Sequence, residues 1–272
     1  YDRAIADFDQ AIKLKPDYAL AYANRGAAYD DKGDYDRAIA DYNRAIKLKP
    51  SFTEAYNNRG VAYYHKGNHD RAIADYDQAI MLKPDDAKAY YDRGNAYAHK
   101  GDYDRAIADF DQAIKLKPDY AEAYNNRGAA YGKKGDHDHA IADYDVAIRL
   151  KPDYADAYFN CANDYAHRGD HARAIADYDV AIRLKPDLAE AYYGRGLAYI
   201  KKGDRDRAVA DYDVAIRLRP DYAEPYYGRG VAYKLEGEKT KAIADFKRFL
   251  ALSNDPRLRQ QAEKQLEALG AK

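Results

Sequence analysis

Proline recurs every 34 residues along most of this chain, at Pro16, Pro50, Pro84, Pro118, Pro152, Pro186 and Pro220. The residues between the prolines repeat as well: "NRGAAYDDKGDYDRAIADYNRAIKLKP" begins at Asn24 and "NRGVAYYHKGNHDRAIADYDQAIMLKP" begins at Asn58. A fixed period of this length is typical of a solenoid, in which each repeat is too small to bury its own apolar face and stacks on its neighbours. The period therefore predicts an array of stacked repeats.

Counted from Ala19, the chain contains seven full repeats, with a half repeat before them and a tail after them. Repeats 1 to 7 begin at Ala19, Thr53, Ala87, Ala121, Ala155, Ala189 and Ala223. The half repeat covers residues 1–18 and the tail covers residues 257–272. We therefore predict a repeat array over residues 1–256 and a C-terminal helix over residues 257–272 that caps its last apolar face.

Each repeat predicts two helices, called the A helix and the B helix below. In repeat 1, Asp17 stands where the A helix needs an N-cap, and Gly33 is a natural stop for that helix. Asp34 is expected to cap the B helix, which cannot continue through Pro50. Repeat 1 therefore predicts a helix, a glycine turn and a second helix.

The residues at fixed positions of the repeat resemble the tetratricopeptide repeat (TPR) family. In repeat 1 the family pattern of aromatic and small residues falls on Tyr22, Gly26, Tyr29, Ala38, Tyr42, Ala45 and Pro50. The resemblance extends from residue 1 to about residue 256, with departures such as Ala162 in place of glycine, and its "NRG…AIADY" wording is similar to bacterial members. It implies an all-α fold, a right-handed α-solenoid superhelix of helix-turn-helix repeats.

Arginine and aspartate recur at positions that the family pattern does not require. The A helices carry Arg25, Arg59, Arg93, Arg127, Arg195 and Arg229, and the B helices carry Asp41, Asp75, Asp109, Asp143, Asp177, Asp211 and Asp245. We predict that they pair between packed helices, because a partly buried arginine needs a carboxylate. The alternative is that the arginines bind acidic ligands. In repeat 5, Cys161 replaces the arginine, which leaves Asp177 without its predicted partner.

The resemblance implies that the A helices line a concave groove, and a row of polar residues follows this face. The asparagine row consists of Asn24, Asn58, Asp92, Asn126 and Asn160, flanked by Asn57, Asn125, Asn95 and Asn163 and by the aromatic residues Tyr91 and Phe159. An amide both donates and accepts hydrogen bonds, which suits a peptide backbone. Some long arrays of the family hold extended peptides with such a row, so we predict a peptide or protein partner. The alternative is that these residues are exposed polar side chains without a ligand.

The first helix predicts a second interaction surface. Its apolar residues Ala4, Ile5, Phe8, Ala11 and Ile12 cannot all be covered by the next repeat alone. One explanation is that further repeats precede this sequence in a longer protein. The other is end-to-end stacking on a second copy, which would make the chain a self-assembly module and a homo-oligomer.

Composition and motifs argue against other classes of function. Lys and Arg total 45 against 46 Asp and Glu, which does not favour a nucleic-acid partner. No apolar run is long enough for membrane insertion, and no signal segment is evident, which favours a cytoplasmic location. Cys161 has no matched base, so we expect a packed thiol and no enzyme activity. His167 and His171 have metal-like spacing, but Gly169 interrupts the helix between them, and no metal or other cofactor is expected.

Overall fold

The computed structural model describes residues 1–271 as α-helices joined by short turns, with no strand among these residues. The helices are α1 (Asp2–Leu14), α2 (Ala19–Asp31), α3 (Tyr35–Leu48), α4 (Thr53–His65), α5 (His69–Leu82), α6 (Ala87–His99), α7 (Tyr103–Leu116), α8 (Ala121–Lys133), α9 (His137–Leu150), α10 (Ala155–His167), α11 (His171–Leu184), α12 (Ala189–Lys201), α13 (Arg205–Leu218), α14 (Ala223–Leu235), α15 (Lys239–Leu252) and α16 (Pro256–Ala268). The prediction of an all-α solenoid of repeated helix pairs is confirmed.

Glycine makes the turn between the A helix and the B helix of each repeat. Gly33 has a φ of 77°, a conformation that only glycine adopts without strain. The B helix then begins at Tyr35, and the side chain of Asp34 accepts a hydrogen bond from the backbone N–H of Arg37 at 3.1 Å. The predicted cap of the B helix is therefore confirmed.

The A helices begin differently from the prediction. Helix α2 follows Tyr18 instead of Asp17, and no side chain caps it. The equivalent residue before α4 is Phe52, which is buried and packs against Ala45. Burial of Phe52 therefore fixes the start of α4, and Asp17, which was predicted as the cap of α2, is not used. Asp86 is an exception, because its side chain does cap α6.

Small residues allow the two helices of a hairpin to approach each other closely. A Cβ atom added to Gly26 would lie 2.9 Å from a ring carbon of Tyr42, which is closer than real contacts allow. Tyr42 itself is buried, between the fully buried Ala38 and Ala45 of the same B helix. Tyrosine can therefore be the main bulky core residue because glycine faces it.

The described chain forms two compact units, residues 1–136 and the residues from His137 onward. The N-terminal unit contains α1, the hairpins α2–α3, α4–α5 and α6–α7, and α8. The C-terminal unit contains α9, the hairpins α10–α11, α12–α13 and α14–α15, and α16. Within each unit the B helix of one repeat packs on the A helix of the next, as α3 does on α4 and α11 on α12.

The first and last helices differ in what they bury. Helix α16 places Ala262 and Leu266 against Phe249 and Phe246 of α15, so it covers apolar surface of repeat 7. Helix α1 packs on α2 but contains no buried residue, and Ala4, Ile5, Phe8, Ala11 and Ile12 are each half-buried. The face of α1 thus remains partly open to solvent in the described chain.

Candidate functional site

Side chains of two B helices accept hydrogen bonds from most arginines of the A-helix row. Arg195 donates to Asp211 of its own repeat at 2.8 and 2.6 Å, and to Asp179 of the preceding repeat at 2.5 Å. The same arrangement holds Arg25 with Asp41 and Asp9, Arg59 with Asp75 and Asn43, Arg93 with Asp109 and Asp77, and Arg229 with Asp245 and Asp213, while Arg127 bonds Asp111. The prediction of pairing is confirmed, and these arginines are already occupied by the protein's own carboxylates.

Repeat 5 lacks this bridge because Cys161 stands at the arginine position. Its thiol is buried. Burial raises the pKa of the thiol and also the pKa of Asp177, and the neighbouring Cys161 partly offsets the second effect. A buried thiol with a raised pKa is a poor nucleophile, which agrees with the expectation that Cys161 is a packed thiol. Asp145, the counterpart of Asp179, lacks a bridging arginine as well.

Asn126 is the centre of a hydrogen-bonded cluster in the N-terminal unit. Its Nδ2 donates to the Tyr91 hydroxyl at 3.0 Å and to Asn95 Oδ1 at 2.8 Å. Its Oδ1 accepts from Asn125 Nδ2 at 2.9 Å, and the Tyr91 ring packs against Tyr120. Both amide hydrogens of Asn126 are therefore used, and only a lone pair of Oδ1 remains for a ligand.

The other members of the asparagine row in this unit differ in exposure. Asn24 is exposed and Asn58 is half-buried, and neither side chain makes a hydrogen bond within residues 1–271. Asp92 accepts a hydrogen bond from Lys88 at 2.6 Å, and burial raises the pKa of its carboxyl. The row is therefore not a uniform ladder, because its free amides lie in repeats 1 and 2.

Two asparagines that were expected to flank the row are buried. Asn57 donates to Asp86 at 3.0 Å, whereas its buried Oδ1 has no partner among the described atoms. Asn125 bonds to Asn126 as described above and is also buried. Their side chains support neighbouring residues and do not face an open surface.

The C-terminal unit contains the remaining members of the predicted set, Phe159, Asn160 and Asn163, all half-buried. Asn163 Oδ1 accepts a hydrogen bond of 2.5 Å from the Tyr178 hydroxyl, and the rings of Phe159 and Tyr178 pack at 6.1 Å between centroids. Within the described residues the Nδ2 group of Asn163 has no acceptor. This amide can therefore donate to a ligand.

A pocket of about 270 Å³ lies on the A-helix face of the N-terminal unit. Asn95 from α6 and Asn126 from α8 form its sides, and Tyr103 and Phe110 from α7 also line it. Lys133, near the end of α8, lines the same pocket. We call this the N-terminal pocket. It brings together two residues of the predicted set and a cation.

A second pocket, of about 390 Å³, occupies the same position of the repeat in the C-terminal unit. Its residues Asn163, His171, Tyr178, Gly194 and Lys201 each stand 68 positions after a residue of the N-terminal pocket. We call this the C-terminal pocket. Two copies of one repeat position thus form pockets of different size and chemistry.

Gly194 accounts for part of the difference in chemistry between the two pockets. It replaces the row residue Asn126, and a Cβ atom added to it would lie 2.5 Å from the Tyr178 hydroxyl. The tyrosine hydroxyl therefore takes the space where an asparagine side chain would begin, whereas Phe110 of the other pocket has no hydroxyl. Leu197 replaces Ala129, which makes the larger pocket more apolar as well.

Aromatic rings stack along one edge of the A-helix face. The first residue of a B helix packs on the last turn of the next A helix, so that His69 lies on His99 at 5.4 Å between ring centroids. His137 lies on His167 at 5.3 Å, and its Nδ1 is 2.5 Å from Asp164 Oδ1. Burial, followed by the charge of His99, lowers the pKa of His69. These contacts place His167 at the edge of the C-terminal pocket.

A row of ion pairs that the sequence analysis overlooked borders the same edge. In repeats 1 to 5 the cation that ends the A helix binds an aspartate of the preceding B helix: Lys32 with Asp2, Lys66 with Asp36, Lys100 with Asp70, Lys134 with Asp104 and Arg168 with Asp138. In repeat 6 the cation is Lys202, but the aspartate position is occupied by Ala172. Lys202 has no ion pair in the described part of the chain. An aspartate recurs at this position every 34 residues, and its absence at Ala172 was the signal in the sequence that Lys202 lacks this partner.

Other kinds of site have no support in the described residues. Residues 1–271 contain no group of three or more His, Cys, Asp or Glu side chains that could hold a metal ion. None of the described helices combines the length and the apolar character needed to cross a bilayer.

Helix hairpins repeated at this spacing define a helical-repeat protein. Models described as "TPR repeat" match residues 94–135, 162–203 and 197–237, and models described as "Tetratricopeptide repeat" match residues 1–51, 24–87, 75–108, 121–154 and 223–256. The chain belongs to the tetratricopeptide repeat family. Members of this family are generally non-catalytic modules that bind proteins or peptides.

Solved structures show the same fold. A crystal structure of MamA is 32% identical, with a TM-score of 0.56 over 61% of this chain and 96% of that one. A tetratricopeptide repeat protein from Parabacteroides merdae has a TM-score of 0.70 at 21% identity, over 90% of this chain and 97% of that one. YrrB, described as a TPR protein with an unusual peptide-binding site, has a TM-score of 0.57 at 24% identity, over 68% and 95%. A search of curated proteins finds no match.

Proposed function

We propose that this chain is a non-catalytic scaffold that binds an extended segment of a partner protein on its A-helix face. The observation that carries the proposal is the pair of pockets at equivalent positions of the repeat, each lined by an asparagine, aromatic rings and a lysine. Pockets that combine apolar walls with a few polar groups are the usual form of a binding site.

Unused hydrogen-bonding groups on this face support a peptide ligand. Asn163 Nδ2 is a free donor, and the amides of Asn24 and Asn58 make no side-chain hydrogen bond within residues 1–271. A peptide in extended conformation presents its own N–H and C=O groups along its length, so separate amides can bind it without requiring one sequence. YrrB, which shares the fold, is described as having a peptide-binding site.

Selection from a random peptide library against the immobilised chain tests this proposal. We expect enriched peptides whose affinity falls at least tenfold when Phe159 and Asn163 are both replaced by alanine. The matched control is Gln78→Ala, because Gln78 is exposed on a B helix and lines neither pocket. A library that yields no specific binder, or binders that are indifferent to the double variant and to Asn126→Ala, would contradict the proposal.

Self-association through α1 is a second candidate function. The observation that favours it is the half-buried apolar face of α1 described above, together with Leu14, which is 85% exposed. Light scattering on a size-exclusion column tests it: mass should climb above 30.8 kDa with concentration and return to one chain in Phe8→Asp. A constant mass of one chain at all concentrations would exclude this function.

A further inference from the structure

We infer that the C-terminal pocket takes a bulky apolar side chain of the partner segment, and that acidic side chains beside this anchor bind Lys201 and Lys202. This inference rests on the proposed function and adds to it the chemistry of the segment and the place where it is recognised. Two separate observations carry it, the apolar enlargement of one pocket and the loss of one acidic partner at its edge.

The walls of the C-terminal pocket are largely apolar. Phe159, Tyr193, Leu197 and Tyr222 line it, and Gly194 contributes no side chain. A volume of about 390 Å³ admits a phenylalanine or leucine side chain, whereas the N-terminal pocket of about 270 Å³ also contains the Asn126 amide. Burying such a side chain here removes apolar surface of both partners from water.

The charges around this pocket are not evenly distributed. At one edge, Lys201 and His171 line the pocket, and His171 also lines a shallow pocket with Lys202. Elsewhere on its lining, Glu190 is already bound to Arg219 at 2.7 Å. A negative group on the ligand therefore finds unpaired lysines only at the Lys201 edge.

The unpaired charge has a specific cause. In the N-terminal unit, Lys134 occupies the position of Lys202 and binds Asp104. Ala172, in repeat 5, stands at the position of that aspartate, so Lys202 of repeat 6 has no ion pair in the described chain. The buried Nδ1 of His171 likewise has no hydrogen-bond partner among the described atoms. In the C-terminal pocket, open apolar space therefore lies beside Lys201 and close to Lys202, neither of which has an ion pair among the described residues.

This charge complementarity selects an acidic peptide segment as the occupant. The probe is a fluorescein-labelled peptide, Gly-Ser-Glu-Glu-Phe-Glu-Glu-Ser-Gly, acetylated at its N-terminus and amidated at its C-terminus, measured by fluorescence anisotropy at low salt. We expect saturable binding at least tenfold tighter than for analogues with Lys in place of Glu or Ala in place of Phe. A further peptide carries Phe at a free C-terminus and no Glu, and it tests whether the chain instead recognises a terminal carboxylate. If this peptide bound best, the inference would be overturned.

The decisive variant is Ala172→Asp, which restores the acidic partner of Lys202 at an exposed position. We expect it to weaken binding of the probe about fivefold, the contribution of one accessible ion pair. The matched control is Ala176→Asp, which makes the same charge change at an exposed position of the same helix outside the pocket lining and should alter binding less than twofold.

The failures of the two proposals can be told apart. If library peptides bind the chain but ignore Ala172→Asp and share no apolar and acidic residues, this inference is overturned and the proposed function stands. If neither the library nor the probe binds, both are overturned. Complexes containing two copies of the chain in place of the peptide would also overturn the inference.

Discussion

Replacing Cys161 with arginine should stabilise repeat 5, because every other full repeat has an arginine at this position. Arg195 in the next repeat shows the geometry to be restored, with two hydrogen bonds to Asp211 and one to Asp179. In Cys161→Arg the corresponding carboxylates are Asp177 and Asp145. Both have a pKa raised by burial, which marks them as insufficiently compensated charges.

The magnitude follows from three charge-assisted hydrogen bonds. At about 1.5 kcal/mol each they contribute about 4.5 kcal/mol, against roughly 2 kcal/mol for ordering the arginine and about 1 kcal/mol for its partial desolvation. The expected net gain is about 1–2 kcal/mol. Tyr158 and Tyr165 stand where Tyr192 and Tyr199 lie beside Arg195, so the variant also finds equivalent ring faces.

Urea unfolding followed by circular dichroism, with amide exchange of α10 and α11 as the local measurement, tests this expectation. The gain should grow as pH rises from about 4 to 7. In the wild-type chain the folded pKa of Asp177 lies above its unfolded value, so stability is lost as the pH rises and the carboxyl ionises. Cys161→Lys supplies the positive charge without the bidentate geometry of arginine and should give less than half of the gain in stability. A Cys161→Arg chain that is less stable than wild type at pH 7 would show that the arginine does not form this bridge in repeat 5.

Two further predictions each compare a pair of substitutions of the same kind. Tyr212→Phe should leave stability unchanged or raise it by up to about 1 kcal/mol, since the buried Tyr212 hydroxyl has no partner among the described atoms. Tyr178→Phe should cost about 1 kcal/mol, because it removes the hydrogen bond to Asn163. Stability changes of the opposite sign to these for the two variants in urea unfolding would contradict this prediction. Arg195→Lys should lower the free energy of unfolding by about 1–3 kcal/mol, because lysine cannot bridge two carboxylates. The control is Arg205→Lys, at an exposed position without an ion pair within residues 1–271, which should lower it by less than about 0.5 kcal/mol. Equal losses would show that the bridge contributes nothing to stability.

The helices and their main ion pairs could be predicted from the sequence because the repeat fixes their geometry. Arg195 and Asp211 are 16 residues apart, and the arginine and aspartate at the equivalent positions of other repeats have the same separation. A helix hairpin with a glycine turn brings two residues at this separation into contact. Six repeats of this chain carry both residues, so the sequence presents the same pair six times. The A-helix caps were predicted wrongly. Asp17 fits a local capping rule, but α2 follows Tyr18 without a side-chain cap, and before α4 the equivalent position is taken by the buried Phe52.

The candidate site was harder to predict because its shape depends on side-chain packing between repeats. Asn126 was expected to face a ligand, yet its amide hydrogens bind Tyr91 and Asn95 of the preceding repeat. The space in the C-terminal pocket depends on how the Tyr178 ring passes Gly194, which no periodicity specifies. The loss of an aspartate at Ala172 was visible in the sequence, but it gained meaning only beside the ion pairs of the other repeats.

A crystal structure of the chain with its tightest library peptide tests the central proposal most directly. We expect an extended peptide along α10 and α12, with a backbone carbonyl accepting from Asn163 Nδ2 and an apolar side chain beside Phe159. A peptide bound to the outer surfaces of the B helices, or to the half-buried face of α1, would contradict the proposed function.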